Sequence, residues 1–160
     1  EAVPELERWG ILADVSHLND RGLEDFLKTA KRPFAASHSN ARAVCGHRRN
    51  LADEQIKELA ARGCLIGLNY YHAFLRDDGR PAGPEDLWRH VEHFMELGAE
   101  GVLALGSDAD GADLPGWLDS PEKFAGLYQL FLERGLSQSQ AEGILWRNAL
   151  DFLKKAGKNG

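Results

Sequence analysis

Two histidines and an aspartate occupy one kind of position in this sequence. His17 ends the apolar run Ile11-Leu-Ala-Asp-Val-Ser16, His38 ends Pro33-Phe-Ala-Ala-Ser37, and Asp108 follows Gly101-Val-Leu-Ala-Leu105 through Gly106-Ser107. A further run, Cys64-Leu-Ile-Gly-Leu68, ends in Asn69-Tyr70-Tyr71. Runs of this length bounded by Gly or Pro suit strands buried on both faces, although apolar content alone does not separate them from buried helix. Histidines and a carboxylate at C-terminal strand tips fit a metal or acid–base site, because α/β folds build their sites on that edge. A neutral imidazole is a ready zinc ligand, but a catalytic zinc needs at least three protein ligands, and two histidines supply only two. The competing reading of each histidine is a core side chain with its hydrogen bonds satisfied.

Other candidates carry less. Arg48-Arg49 falls in the loop after the second run, on the same edge, where a guanidinium can hold a carboxylate or phosphate bidentately or simply be solvated. His90 and His93 form an H-x-x-H on one helix face, but Trp88, Val91, Phe94 and Leu97 make that helix a packing element, which favours a structural role. His47 and His72 fall in loops. The run Asp108-Ala-Asp-Gly-Ala-Asp113 invites a calcium-loop reading, yet its glycine comes one position early and residue 117 is Trp rather than the required acid. Neither a glycine-rich phosphate loop nor a G-x-S-x-G elbow is present. Cys45 and Cys64 are isolated, so a disulfide framework or cysteine zinc site is not expected.

The elements that must position these residues alternate. Each apolar run is followed by an amphipathic stretch: helices are expected over Asn19–Ala30, Asp53–Arg62 and Pro84–Leu97, then over 121–134, 137–146 and 147–155. Pro84 and Pro121 stand at first helical positions, Ser137 with Gln140 makes a capping box, and Gly63, Gly98, Gly135 and Gly157 are placed to close helices. Ala52 is a poor cap. Four strands at 11, 33, 64 and 101 separated by helices mean a parallel sheet with right-handed crossovers. Two architectures fit: a small open α/β sheet, or half of a (β/α)₈ barrel, which takes about 250 residues when whole.

At 160 residues the chain suggests a single domain, residues 1–160. Its 43% hydrophobic and 28% charged residues are those of a globular protein rather than a disordered one. Nineteen basic against 25 acidic residues give a net charge of −6, the wrong sign for a general nucleic-acid or anionic-membrane binder. No apolar run approaches the roughly 20 residues of a membrane span. The N-terminal EAVPELERWG is amphipathic, lacks an initiator Met and reads as the last turns of a helix.

Taken together, Asp14-Val-Ser-His17, Pro33-Phe-Ala-Ala-Ser-His-Ser-Asn-Ala-Arg42, Cys45-Gly-His-Arg-Arg-Asn50, Leu105-Gly-Ser-Asp-Ala-Asp-Gly111 and Ile144-Leu-Trp-Arg-Asn148 resemble the renal (membrane) dipeptidase family. These are zinc dipeptidases of the amidohydrolase superfamily. The resemblance runs through nearly the whole chain, and its motifs are long and correctly ordered. It implies an α/β fold that is the C-terminal half of a (β/α)₈ TIM-type barrel, the four runs being its fifth to eighth strands. It also implies that His17 and His38 are metal ligands, that Arg49 grips the substrate's terminal carboxylate, and that Asp108 is the proton-transfer group. The implied cofactor is a pair of zinc ions, and the implied activity is hydrolysis of dipeptides by attack of a metal-activated water.

The sequence departs from the family in lacking an H-x-D metal pair, which the resemblance places with a bridging glutamate in an N-terminal half. The expected chain is therefore half of a dipeptidase. Either the missing half is supplied elsewhere, by another chain (a complementary N-terminal half or a second copy) or by the intact parent, or the chain folds as a half-barrel or self-associates and is catalytically inactive. A third reading is an unrelated open α/β binding domain. A dipeptide is the expected partner, with no nucleic acid and no evident membrane contact. A cytoplasmic location is expected for a bacterial parent; the compartment is otherwise open.

Overall fold

The computed structural model describes residues 2–157. Helix α1 (Ala2–Arg8) leads into an extended segment over residues 11–16, which passes beside β1 (Ala35–Ala36). Helix α2 (Asp20–Thr29) joins the two, capped by the Asn19 side chain, which accepts from the Gly22 amide. Next come α3 (Asp53–Ala61), β2 (Leu65–Asn69), the single turn α4 (His72–Leu75), α5 (Pro84–Glu96) and β3 (Leu103–Ser107). The chain closes with α6 (Pro121–Phe124), α7 (Gly126–Glu133), α8 (Gln138–Glu142), a π-helical turn over Gly143–Arg147, and α9 (Asn148–Gly157). Glu1 lies outside the described residues.

The three strands form one parallel sheet in the order β1-β2-β3, with Ala36 opposite Ile66 and Ile66 opposite Leu103. The alternation read from the sequence is therefore present, with corrections at its ends. The expected first strand over 11–16 makes only a parallel bridge, Asp14 to Ala35, held by two backbone hydrogen bonds. The fourth begins at Leu103 rather than Gly101, because Glu100–Val102 form a 3₁₀ turn. The helix expected over 121–134 breaks at Ala125, and the one over 137–146 widens after Glu142 into the π turn. Gly157, expected to close the last helix, is the last described residue of α9, and the residues that follow it lie outside the described residues.

Capping chemistry otherwise works as read. Pro84 and Pro121 occupy first helical positions, and Ser137 and Gln140 cap reciprocally. Gly63, Gly98 and Gly135 adopt the positive φ that ends a helix without a Cβ penalty. Ala52 gives no side-chain cap, and the Gln55 carboxamide accepts from its amide instead.

Ile66 and Leu68 of β2, Leu103 of β3, Ile56 and Leu59 of α3, and Leu87, Val91 and Phe94 of α5 form one buried cluster. The α5 residues sit four and three apart, on one helix face, which is why that helix covers the sheet. Asn148 at the start of α9 donates to the carbonyls of Glu100 and Leu103, tying the last helix to the entry of β3.

Gly67 and Gly106 lie side by side in β2 and β3, where the Ser37 carbonyl crosses them. A Cβ on either would collide with that oxygen. Only glycine permits the end of β1 to close onto its neighbours, and this brings three strand tips together at one edge.

Candidate metal and acid–base site

At the C-terminal edge, His17 and His38 approach through their Nε2 atoms, 3.0 Å apart. His17 is exposed and His38 half-buried. Behind His38, the Ser37 hydroxyl stands 2.8 Å from Nδ1 and also contacts the Asp14 carboxylate. Asp14 further accepts from the Ser16 amide and hydroxyl and from the Ser37 amide. Partial desolvation works to raise the Asp14 carboxyl, but the hydrogen bonds from Ser37 and Ser16 outweigh it and hold the group below its ordinary value. Burial lowers the His38 imidazole, aided by His17 and Arg49 and opposed by Asp108 and Asp14.

Asp108 reaches the same edge from β3. The register slips between Leu68 and Asn69, so that Asn69 pairs with Ser107, a bulge of the kind that re-aims side chains next to sites. Asn69 is fully buried. Its side-chain amide donates to Asp108 Oδ2 at 2.9 Å, while its Oδ1 accepts from the Tyr71 amide. Ser107, Asp108 and Asp110 all have positive φ, at 27°, 68° and 65°. Non-glycine residues rarely adopt it, and it concentrates where the surrounding structure enforces a functional geometry.

Arg49 comes from the loop that links β1 to α3. Asn40 and Asn50, both buried, hold this loop in place. Asn40 exchanges bonds with the Asn69 backbone and reaches the Phe74 carbonyl, and Asn50 donates to the carbonyls of Cys45 and Phe74. Arg49 Nε donates to the Ser16 carbonyl, and the guanidinium lies 5.6 Å from the Phe74 ring centroid. Among the described residues no carboxylate pairs with it. A cleft of about 830 Å³ joins His17, Arg49, Tyr71, Phe74 and Asp108 with the loop to Asp119. A second cavity, lined by Val3, Leu6, Ile11, Phe34 and Phe152, lies between α1 and α9, away from all of these groups.

The donor set fits zinc in kind. Two nitrogens on one tetrahedral zinc, at roughly 2.0–2.1 Å each, sit about 3.3 Å apart, close to the imidazole spacing here. It does not fit in number. Among the described residues, no group of three or more His, Cys, Asp or Glu side chains is placed to hold a metal ion.

The family follows from comparison with known proteins. The model of the membrane dipeptidase family, peptidase family M19, matches residues 1–159. The chain belongs to the membrane dipeptidase family. An uncharacterized protein of the pqqA 5′ region of Klebsiella pneumoniae is 38% identical over 88% of this chain, and an uncharacterized dipeptidase of Schizosaccharomyces pombe is 32% identical over 97%. The chain spans 53% and 38% of their lengths, respectively. Among solved structures, a metallopeptidase of Rhodobacter sphaeroides, liganded with a phosphinate mimic of the dipeptide L-Ala-D-Ala, superposes with a TM-score of 0.91 at 32% identity. It covers 97% of this chain, which spans 45% of it. The α/β fold with a parallel sheet is thus that of metallodipeptidases.

The residues singled out from the sequence split cleanly against this dipeptidase-family fold. His17, Arg49 and Asp108 share the cleft, and His38 stands against His17. His90 and His93 lie apart and are engaged elsewhere: His90 is fully buried between the Ala41 amide and the Leu75 carbonyl, and His93 meets Asp53 at 2.9 Å. His47 stacks on Phe74, and His72 accepts from the Ala82 amide. Sequence reasoning gave no role to Asp14, Ser37 or Asn69. A signal existed in Asp14, an ionisable residue inside an otherwise apolar run. No helix among the described residues is long and apolar enough to cross a membrane.

Proposed function

We propose that this chain forms the C-terminal half of a (β/α)₈ barrel, one unit over residues 1–160, and that the completed barrel is a zinc dipeptidase. The observation that supports this most is the convergence of the His17 and His38 imidazoles at a strand-end cleft that also holds Asp108 and an Arg49 guanidinium without a carboxylate partner among the described residues. Membership of the membrane dipeptidase family supports a dipeptide as the substrate, and the Rhodobacter sphaeroides relative is liganded with a phosphinate mimic of the dipeptide L-Ala-D-Ala.

In this reading His17 and His38 hold zinc through Nε2, and the remaining ligands come from a complementary N-terminal half. Zinc held there would supply an acidified water and polarisation of the scissile carbonyl. Asp108 would act as the proton-transfer group, taking a proton from the attacking water and giving it to the leaving amine. Asn69 holds Oδ2 of Asp108 and so directs the carboxylate toward the cleft. Arg49, steadied by the Ser16 carbonyl and Phe74, pairs with the free carboxylate of the dipeptide and limits substrates to short peptides. Arg49→Met is expected to raise KM by about tenfold or more while leaving kcat nearly unchanged.

The test is zinc analysis and L-Ala-D-Ala hydrolysis on size-calibrated protein, alone and mixed with a separately expressed N-terminal half. About two zinc ions per 1:1 complex, with turnover only in the complex, is the expected result. A zinc-loaded complex without dipeptide hydrolysis overturns the activity. A chain that self-associates, binds no complement and stays inactive supports the alternative, an inactive half-barrel.

A further inference from the structure

We propose that Asp14 and Ser37 are positioning residues that fix the tautomer of His38, so that Nε2 presents a lone pair to His17 and the cleft. The argument is one of counting protons. Ser37 Oγ has two neighbours, a carboxylate oxygen of Asp14 and Nδ1 of His38, and one hydrogen to give. An ionised carboxylate only accepts. The hydroxyl hydrogen therefore points to Asp14, and the hydroxyl oxygen must accept from Nδ1. A neutral imidazole carries one N–H, so with Nδ1 protonated, Nε2 is the acceptor.

Ser16 repeats the pattern on the main chain. Its hydroxyl donates to the same carboxylate, at 2.9 Å from Asp14 Oδ1, and accepts from the His38 backbone amide at 3.0 Å. His38 is thus gripped at its amide and at its ring by two serine hydroxyls that share one acid. That acid belongs to the segment bearing His17, and it also accepts from the Ser37 amide. A single carboxylate sets the separation of the two strand tips and the ring orientation at one of them. Carboxylates commonly orient ligating histidines directly; here a hydroxyl stands between them. The hydrogen bonds that keep Asp14 below its ordinary pKa keep it an acceptor at neutral pH.

The role toward zinc rests on the reading of His17 and His38 as ligands, whereas the tautomer is measurable without metal. In the chain labelled with ¹⁵N-histidine, long-range ¹H–¹⁵N spectra at pH 8 are expected to find His38 protonated at Nδ1. Ser37→Ala is expected to abolish that preference and weaken affinity for zinc ion, by chelator competition, about 10- to 100-fold. Ser37→Thr keeps the hydroxyl and is expected to restore both. A wild-type His38 protonated at Nε2, or a tautomer unchanged in Ser37→Ala, overturns the relay. An altered tautomer with unaltered zinc affinity overturns the positioning role. A wild-type chain that has the stated tautomer but binds no zinc supports the relay and counts against the ligand reading instead.

Discussion

The protein contains two histidine pairs, and they have opposite fates. His17 and His38 come from segments 21 residues apart and meet at a strand-end edge, with Nε2 facing Nε2 across 3.0 Å beside an open cleft. His90 and His93 lie one helical turn apart on α5, in the H-x-x-H spacing that sequence patterns associate with metals. Yet His90 spends both nitrogens on backbone groups, accepting from Ala41 and facing the Leu75 carbonyl. His93 turns to Asp53 and, at 3.8 Å, Glu96. A histidine becomes a ligand candidate when the fold leaves a nitrogen lone pair aimed at accessible space, and spacing along a helix does not provide that. Burial states the same contrast: it pushes His90 down to about 4, which locks it neutral inside the core.

The sharpest way to break the comparison is to exchange the losses. His38→Ala, in the proposed complete barrel, is expected to reduce kcat/KM on the order of 1,000-fold or more by removing a proposed zinc ligand. Its effect on stability should be smaller than that of a core residue, since His38 is only half-buried. His90→Ala should do the reverse, costing about 2–4 kcal/mol through two orphaned backbone groups and a cavity. Denaturant titration together with steady-state kinetics reads both, and equal stability losses at the two positions would erase the distinction.

Asp108→Asn comes next. Asn tolerates the left-handed backbone that Asp108 adopts, so the fold should hold while kcat drops by about 10²–10⁴. An unchanged kcat would remove Asp108 from proton transfer.

The buried His90 also predicts an acid response. His90 has a folded pKa of about 4 against an ordinary value near 6.5, so between these the unfolded chain binds the extra proton. Its contribution is intact above the ordinary value and lost as pH falls toward 4, amounting to about 3 kcal/mol. Stability measured across that window in wild type and His90→Gln should show the slope in the former and lose much of it in the latter. The smallest effect is expected at His93→Gln, under about 1 kcal/mol, because the partly exposed pair with Asp53 is screened.

The alternation of apolar runs and amphipathic helices was legible in the chain, because burial periodicity and capping are local properties. Pro84, Pro121 and the Ser137–Gln140 box act where their types say they should. The limits of the first strand were not legible. Ile11-Leu-Ala-Asp-Val-Ser16 has strand composition, but a strand needs partners, and only Asp14 bridges Ala35. Likewise the 3₁₀ turn at Glu100–Val102 and the π turn at Gly143–Arg147 answer to packing around β3 rather than to propensity.

For the site, the sequence by itself determined which residue types end the strands, and therefore the family and the candidates His17, His38, Arg49 and Asp108. Only the tertiary structure decided which histidines meet. It also disclosed the Asp14–Ser37–His38 contacts and the Asn69 bond to Asp108. Residue identity is one-dimensional information, whereas a ligand set or a proton relay is a set of distances between segments far apart in the chain. Those distances are fixed by how closely the strands pack, here through Gly67 and Gly106 under the Ser37 carbonyl, where any side chain would hold the tips apart.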